Sequence, residues 1–509
     1  MKPLPGPAVL KAMRRGIEKE SLRVRPDGRL SIVPHHAALG SPLTHPHITT
    51  DFSESQLELI TAPHAGVEAC LEELTQIHQV VFGAINDELL WVSSMPCGLP
   101  ADDAIPIGQY GRSNIGRAKT VYRTGLANRY GRRMQAISGI HYNWSLPGVG
   151  DAEYFSLIRN FRRHGWLLFY LFGASPAVCP SFVAGHDHDG HGLQELRPGT
   201  LYLPHATTLR MGRLGYQSEA QDSIATSFND LESYGAALED AMTRVWPAYA
   251  KFGVQDKKGN YLQLSTALLQ IENEFYGKIR PKCVIRSGER PLHALRERGV
   301  EYVEVRLMDL DPFAAIGITP PVCRFLDTFL LHCLLGESPP DTPEEIAAVG
   351  RNQEKVAARG REPGLSLTRG SQQVSLEEWG GQLVAECAPL AARLDAVFGG
   401  NAYREAHAAA AATLANPALT PSARVLAAMA AHHSNSYTAF ALAQSRAQRA
   451  VIAALPRPAA VAQRFAAMAV ESIAKRERME TADTLPFEEW RQQYLSLEKL
   501  RPKANRRIA

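Results

Sequence analysis

Carboxylates recur where a β-strand should bury apolar side chains, first in Gly16-Ile17-Glu18-Lys19-Glu20-Ser21-Leu22-Arg23-Val24. Side chains along a strand alternate between its faces, so Glu18 and Glu20 share one face with Leu22 and Val24, while Lys19, Ser21 and Arg23 take the other, polar face. The two carboxylates therefore point to the core side. Like charges held close in a half-dry place repel, and an uncompensated buried carboxylate would normally take up a proton instead. A cation is expected beside them.

The pattern recurs along the chain. In 51–60, Glu54, Gln56 and Glu58 line one face and Leu57 and Leu59 the other; in 139–146, His141, Asn143 and Ser145 are backed by Ile140, Tyr142, Trp144 and Leu146. A fourth segment, 269–276, sets Gln270, Glu272, Glu274 and Tyr276 opposite Ile271 and Phe275, and a fifth sets Tyr302, Glu304 and Arg306 opposite Val303, Val305 and Leu307. Alternation of this kind predicts an antiparallel sheet packed on helices through one face and lining a wet cavity with the other. One glutamate pair alone is more often a solvated edge face, and one histidine more often a hydrogen-bonded core residue. Recurrence in five segments favours the cavity.

Several carboxylates with one imidazole and no cysteine suit hard dications, Mg²⁺ or Mn²⁺. Arg306 on the same face as Glu304 adds the means to hold an anionic substrate between cation and guanidinium. The residues by themselves thus predict metal-assisted phosphoryl transfer.

Six stretches carry a resemblance: Gly16 to Val24, Ile48-Thr49-Thr50-Asp51-Phe52, Tyr110-Gly111-Arg112-Ser113-Asn114, Ser138 to Pro147, Gln270 to Lys282 and Glu301 to Arg306. They resemble the proteobacterial type of glutamate-cysteine ligase, which makes γ-glutamylcysteine in the first step of glutathione synthesis. The similarity runs from about residue 14 to about 435, and Glu480-Thr481-Ala482-Asp483-Thr484 with Pro486-Phe487 resembles the family's C-terminus. The resemblance implies an α+β fold, a glutamine-synthetase-like antiparallel sheet wrapped by helices. It also implies a metal cluster of Glu18, Glu20, Asp51, Glu58, His141 and Glu304. Arg306 and Arg123 would meet the phosphates of ATP, Arg210 would belong to the glutamate pocket, and Phe52, Tyr122, Tyr216 and Tyr276 to the cysteine pocket. The implied reaction activates the γ-carboxylate of glutamate as γ-glutamyl phosphate and lets the amine of cysteine displace the phosphate, under a mobile loop that keeps water out. Two departures stand out: the region after Pro147 is shorter than in the family, and Ala431-His432-His433-Ser434-Asn435-Ser436 replaces a glycine-rich stretch. The chain is also too short for the second ligase domain of bifunctional relatives, so the product expected is γ-glutamylcysteine.

With 509 residues and 45% hydrophobic content, a large core is expected. The organisation read from the sequence is an N-terminal extension (1–13), a catalytic sheet domain (14–335) and an alanine-rich helical C-terminal subdomain (336–509). A net charge of +3 argues against nucleic-acid binding, which relies on clustered excess Lys and Arg. The N-terminus has no apolar run of signal-peptide length, and 166–185, although uncharged, is broken by Gly173, Pro176 and Pro180, so it predicts a buried helix and a turn rather than a membrane span. Seven widely spread cysteines without a CxxC pair read as reduced thiols of a cytoplasmic protein, a monomer or small homo-oligomer acting on small molecules. The stretch 111–120 nearly spells a phosphate-binding loop, but Lys119 comes two residues late and no buried parallel strand precedes it, so a loop entering a helix is expected. His186-Asp187-His188-Asp189-Gly190-His191 reads as an exposed loop. Two other functions stay open: a carboxylate-amine ligase using a different amine, and a degenerate metabolite-binding scaffold.

Overall fold

In the computed structural model, which describes residues 2–185, 191–215, 218–224, 226–286 and 288–501, the glutamate-bearing segment 16–24 lies within one long strand, β1 (Arg14–Val24). The other strands are β2 (Ile48–Thr50), β3 (Gln56–Ile60), β4 (Leu89–Leu90), β5 (Ile140–Ser145), β6 (Ala177–Val178), β7 (Gln194–Arg197), β8 (Thr200–Tyr202), β9 (Ile279–Lys282) and β10 (Tyr302–Met308), followed by a β11–β12 hairpin (Ser366–Arg369, Gln372–Ser375). The main sheet is antiparallel in the order β2-β3-β1-β5-β10-β9, with β4 on the far end of β1; β6, β8 and β7 make a small second sheet. The fold is α+β, as the alternation predicts.

Ile17, Leu57, Leu59, Ile140, Tyr142, Trp144, Val303 and Val305 point to one side of the main sheet and join a single apolar cluster. Helices Val67–Ala84, Asp151–His164, Trp166–Phe172 and Pro320–Leu335 contribute to the same cluster. The first buries Val67, Cys70, Leu71, Leu74, Ile77, His78 and Val81, the spacing of one helical face. The last is buried on all sides from Phe325 to Leu335, and each large apolar side chain there contributes about 1.5–3 kcal/mol. The uncharged stretch from Trp166 is a seven-residue helix ending at Gly173, and among the described residues no helix is long and apolar enough to cross a membrane.

Beyond residue 342 the chain is mostly helical, including the alanine-rich Ala402–Ala415 and Ala459–Ala482. Its end returns to the sheet domain. The Glu480 carboxylate accepts from the Arg112 backbone N–H at 2.7 Å, Asp483 accepts from Asn114 N–H, and Phe487 packs on Ala118 and Leu264. Gly111 is required at this junction: its φ is +84° and a Cβ there would sit 2.4 Å from Glu480 Oε1.

Four expectations are corrected. Segment 269–276 is not a strand; Glu272–Glu274 form a 3₁₀ turn, because Glu272 is taken by Arg290 (2.6 Å) and Glu274 by Arg129 (2.8 Å). Glu54 lies off β3 and accepts from the backbone N–H groups of His35 and Gln109, both pairings too far along the chain to be seen in the segment's own alternation. The face of β1 bearing Lys19, Ser21 and Arg23 is buried rather than solvated: Lys19 donates to Ser21 Oγ at 2.6 Å and Arg23 pairs with Glu88 at 2.8 Å. Cys97 and Cys179 are joined in a disulfide because the fold brings residues 82 apart in sequence together, whereas the other five cysteines are buried free thiols.

Candidate active site

The second face of the sheet collects the charged residues. Pairing of β1 with β3 sets Glu20 directly opposite Glu58, and pairing with β5 sets Glu18 opposite His141; β10 places Glu304 opposite Asn143. Opposed like charges weaken a ladder, so Glu20 and Glu58 are arranged against the sheet's own stability.

The distances are short. His141 Nδ1 lies 2.9 Å from Glu18 Oε2 and 4.0 Å from Glu304 Oε1, while its Nε2 is 3.6 Å from Glu20 Oε1. One donor atom each from Glu18, Glu58 and His141 lie within 4.8 Å of one another. Asn143 Nδ2 donates to Glu18 Oε1 at 2.9 Å, and Gly139 N–H to Glu20 Oε2 at 2.7 Å. Glycine at 139 is dictated by proximity, because a Cβ would fall 2.0 Å from the Arg210 guanidinium.

Electrostatically the cluster has two ends. Burial, reinforced by Asp51, pushes the Glu20 carboxyl up to about 6. Burial with repulsion from Glu18, Asp51 and Glu20 lifts Glu58 well above its usual range, and Arg123 offsets only part of this. At the other end burial acts on Glu304 too, but Lys282 at 3.0 Å, Arg306 at 3.0 Å, His141 and Arg280 hold it well below the usual carboxylate range. For Glu18 burial is outweighed by the hydrogen bond to His141 together with the charges of His141 and Lys282, and its pKa falls. Carboxylates thus outnumber cations at the Glu20–Glu58 end, whereas at the Glu304 end Lys282, Arg306 and Arg280 surround one carboxylate.

Two cavities flank the cluster. One of about 300 Å³ is lined by Glu20, Phe52, Arg210 and Tyr276; the other, of about 380 Å³, by Glu18, Glu58 and Glu304 with Lys119, Arg280 and Lys282. Asp51, Tyr122, Arg123, His141, Asn273 and Arg306 line both. A group held in one cavity can therefore meet a group held in the other across this common wall.

Each site residue expected from the sequence, Tyr216 excepted, lines one of the two cavities; Tyr216 lies outside the described residues. Arg123 donates to the Asp51 carbonyl and lies 4.5 Å over the Tyr110 ring. Arg210 Nη2 donates to the Arg306 carbonyl at 2.9 Å, and Tyr276 Oη accepts from Gln135 Nε2 at 2.8 Å. Arg280, Lys282 and Lys119 were not expected in the site. The first two alternate along β9 beside Glu304 and Tyr302, a pattern open to the same period-two reading. Lys119 belongs to the Asn114–Tyr130 helix rather than to a phosphate loop, yet it faces the larger cavity, where burial lowers it to about 8.

Comparison with known proteins points one way. The sequence family described as glutamate-cysteine ligase matches residues 4–356. The glutamate–cysteine ligase of Saccharophagus degradans is 46% identical over 507 residues, covering 96% of this chain and 95% of that protein; that of Azotobacter vinelandii is 47% identical over 504 residues, covering 95% and 94%. The solved structure of the Francisella tularensis glutamate–cysteine ligase in complex with AMP matches with a TM-score of 0.89 at 34% identity, over 95% of this chain and 97% of that one. A bifunctional glutathione synthetase from Pasteurella multocida matches with a TM-score of 0.67 at 26% identity, over 88% of this chain and 53% of that one. On the extent of these matches, and with the acidic face and its two cavities where that likeness leads one to look, the chain belongs to the glutamate–cysteine ligase family.

Proposed function

We propose that this chain joins the γ-carboxylate of L-glutamate to the amine of L-cysteine at the expense of ATP, through γ-glutamyl phosphate, and so supplies γ-glutamylcysteine for glutathione synthesis. The observation that carries this reading is the crowded carboxylate cluster facing Arg306 on the wall shared by two cavities. The larger cavity suits ATP: Lys119, Arg280 and Lys282 are cationic, and Ile115, Leu264 and Ile271 offer an apolar slot for a base. The smaller one suits the amino acids, with Arg210 for a carboxylate and Phe52, Tyr122 and Tyr276 around the thiol side chain.

The donor set fits Mg²⁺, with Mn²⁺ as the other candidate: carboxylate oxygens, one imidazole, no thiol, and two carboxyls raised by burial and by repulsion from neighbouring carboxylates. Glu18, Glu58 and His141 would hold an ion, with Glu20, Asp51 and Glu304 completing the set. When bound, the dications supply charge neutralisation on phosphate oxygens. Arg306, positioned 3.0 Å from Glu304, would take the transferring phosphoryl group, and Arg123 on the same wall would stand beside it. The glutamate γ-carboxylate, held across the wall, attacks the γ-phosphate and releases ADP. The cysteine amine then attacks the acyl carbon, the C–O bond to phosphate breaks, and the amine gives up its proton. Exclusion of water from the site during turnover would protect the acyl phosphate from hydrolysis. The same reading makes the protein a cytoplasmic enzyme.

With glutamate, ATP and Mg²⁺ supplied, ADP release should depend on cysteine and yield γ-glutamylcysteine by mass. Release driven by another amino acid, with cysteine inert, would replace the acceptor assignment; no Mg²⁺-dependent ATP binding at all would favour the scaffold.

A pH effect follows from Glu20, whose folded-state pKa is raised from 4.5 to about 6. Stability from this group is complete below pH 4.5 and is lost as pH rises through about 6, a loss on the order of 2 kcal/mol in dication-free protein. Dications compete with protons for the same oxygens. The rise in Tm on adding Mg²⁺ should therefore be larger at about pH 7.5 than at about pH 5, and an equal rise at both would remove Glu20 from the cluster's charge balance.

A further inference from the structure

Away from the catalytic face, one group of side chains offers different donor chemistry. His164 ends the Asp151–His164 helix, and His332 and Cys333 lie near the end of Pro320–Leu335. One donor atom from each lies within 4.8 Å of the other two. Cys333 is fully buried, His332 is 4% exposed and His164 is half-buried, with Nδ1 of both imidazoles shielded from solvent.

The imidazole nitrogens are the informative atoms. Nδ1 of His164 and Nδ1 of His332 are buried without a hydrogen-bond partner, whereas buried polar atoms are normally satisfied. His332 Nε2 lies 2.7 Å from Glu386 Oε2. A carboxylate on Nε2 keeps the proton of the neutral ring there, so Nδ1 offers its lone pair to the interior. This is how metal-binding histidines are commonly oriented, the second nitrogen donating to a carboxylate. Packing does not account for the orphaned nitrogens: His164 meets Trp379 edge-on at 6.2 Å and His332 stacks on Phe329 at 6.4 Å, contacts that engage the rings and leave both Nδ1 atoms unpaired.

We propose that His164 Nδ1, His332 Nδ1 and Cys333 Sγ form a site for a borderline-soft dication, Zn²⁺, with Glu386 orienting His332 and water in the fourth position. Two imidazoles and a thiolate select Zn²⁺ over Mg²⁺; burial holds the metal-free Cys333 thiol protonated, and the ion displaces that proton to solvent as the Zn–S bond forms. Ligands bonded to zinc at about 2.0–2.3 Å stand about 3.4–3.7 Å apart in a tetrahedron, so the group need close by no more than about 1.4 Å on binding, within reach of side-chain torsions. The ion would pin the end of one helix to another in the layer behind the catalytic sheet, a role in stability rather than in chemistry.

The test uses the full chain, stripped with a chelator and returned to excess Mg²⁺, then titrated with Co²⁺. One equivalent should produce a thiolate-to-cobalt charge-transfer band that Zn²⁺ displaces, and Zn²⁺ should raise the Tm. The catalytic cluster has no thiol, so Glu58→Gln should leave the band intact. Cys333→Ser should abolish it, and His164→Phe, which removes a ligand at a half-buried ring, should weaken Zn²⁺ binding by more than the roughly 10–100-fold expected for losing an orienting carboxylate such as Glu386. If Cys333→Ser does not fold, His164→Phe decides. No band in the parent protein, or a band and affinity unchanged in these variants, overturns the proposal.

Discussion

Arg306→Ala should lower cysteine-dependent ADP release by about 10³-fold or more while the protein stays folded, because the loss falls on the transition state. Two arrangements keep the rest of the site in place. The Arg306 backbone, rather than its side chain, donates to Lys278 O at 2.9 Å and accepts from Arg210 Nη2, so both bonds survive the substitution. Glu304 also keeps Lys282 at 3.0 Å, with Arg280 at 4.0 Å, and so stays ionised. The apparent affinity for Mg²⁺ should consequently change little while kcat falls. Arg306→Lys should recover part of the rate, since it returns the charge without the planar fork of donors. Glu18→Gln is expected to behave differently, losing both turnover and Mg²⁺ affinity, because Glu18 Oε2 is 2.9 Å from His141 in the candidate metal trio. Near-normal ADP release by folded Arg306→Ala would place the phosphoryl group elsewhere than the wall between the cavities.

Much of this site was legible because a strand's period of two is short enough to survive in sequence. Glu18 with Glu20, His141, Glu58 and Glu304 each fall on an alternating segment that became β1, β5, β3 or β10. The order β3-β1-β5-β10 was not legible, and it is this order that sets Glu20 opposite Glu58 and Glu18 opposite His141. Asp51 follows the end of β2 and Arg210 lies in a loop, so periodicity is silent on both and only the family resemblance named them. The misreading of 269–276 has the same root. Alternating carboxylates look alike whether they face a cavity or are claimed singly by distant arginines, and Arg290 and Arg129 stand 18 and 145 residues from the glutamates they neutralise. Lys119 shows the converse error: rejecting the phosphate-loop motif was right, but the lysine still reaches the larger cavity from a helix face.

Replacing Asp327 with alanine should cost about 3–5 kcal/mol of stability, the effect of stranding one member of a buried ion pair. Asp327 is fully buried on the Pro320–Leu335 helix, with its Oδ2 3.0 Å from Arg15 Nη2 on β1. Tyr142 from β5 donates to its Oδ1 at 2.9 Å, and Tyr403 from the Ala402–Ala415 helix to its Oδ2 at 3.2 Å. One carboxylate therefore joins two strands of the main sheet, the helix behind them and a C-terminal helix. Without it, among the described residues the buried Arg15 guanidinium keeps the carbonyls of His64 and Ala65 as acceptors, the Tyr403 hydroxyl loses its acceptor, and Tyr142 is left with the Cys323 carbonyl at 3.4 Å. Asp327→Asn should cost less, since an amide oxygen can still accept from one tyrosine. Removing both charges, as Arg15→Met with Asp327→Leu, should restore much of what the single change loses, because no unpaired charge is left in the core. Urea unfolding midpoints of the parent, Arg15→Met, Asp327→Leu and the double variant measure this coupling, and additive losses would show that the pair does not act as a unit. Arg15 shares β1 with Glu18 and Glu20, so an Asp327→Ala protein that does fold should also bind Mg²⁺ more weakly: loosening the strand behind the sheet disturbs the register that crowds the carboxylates in front of it.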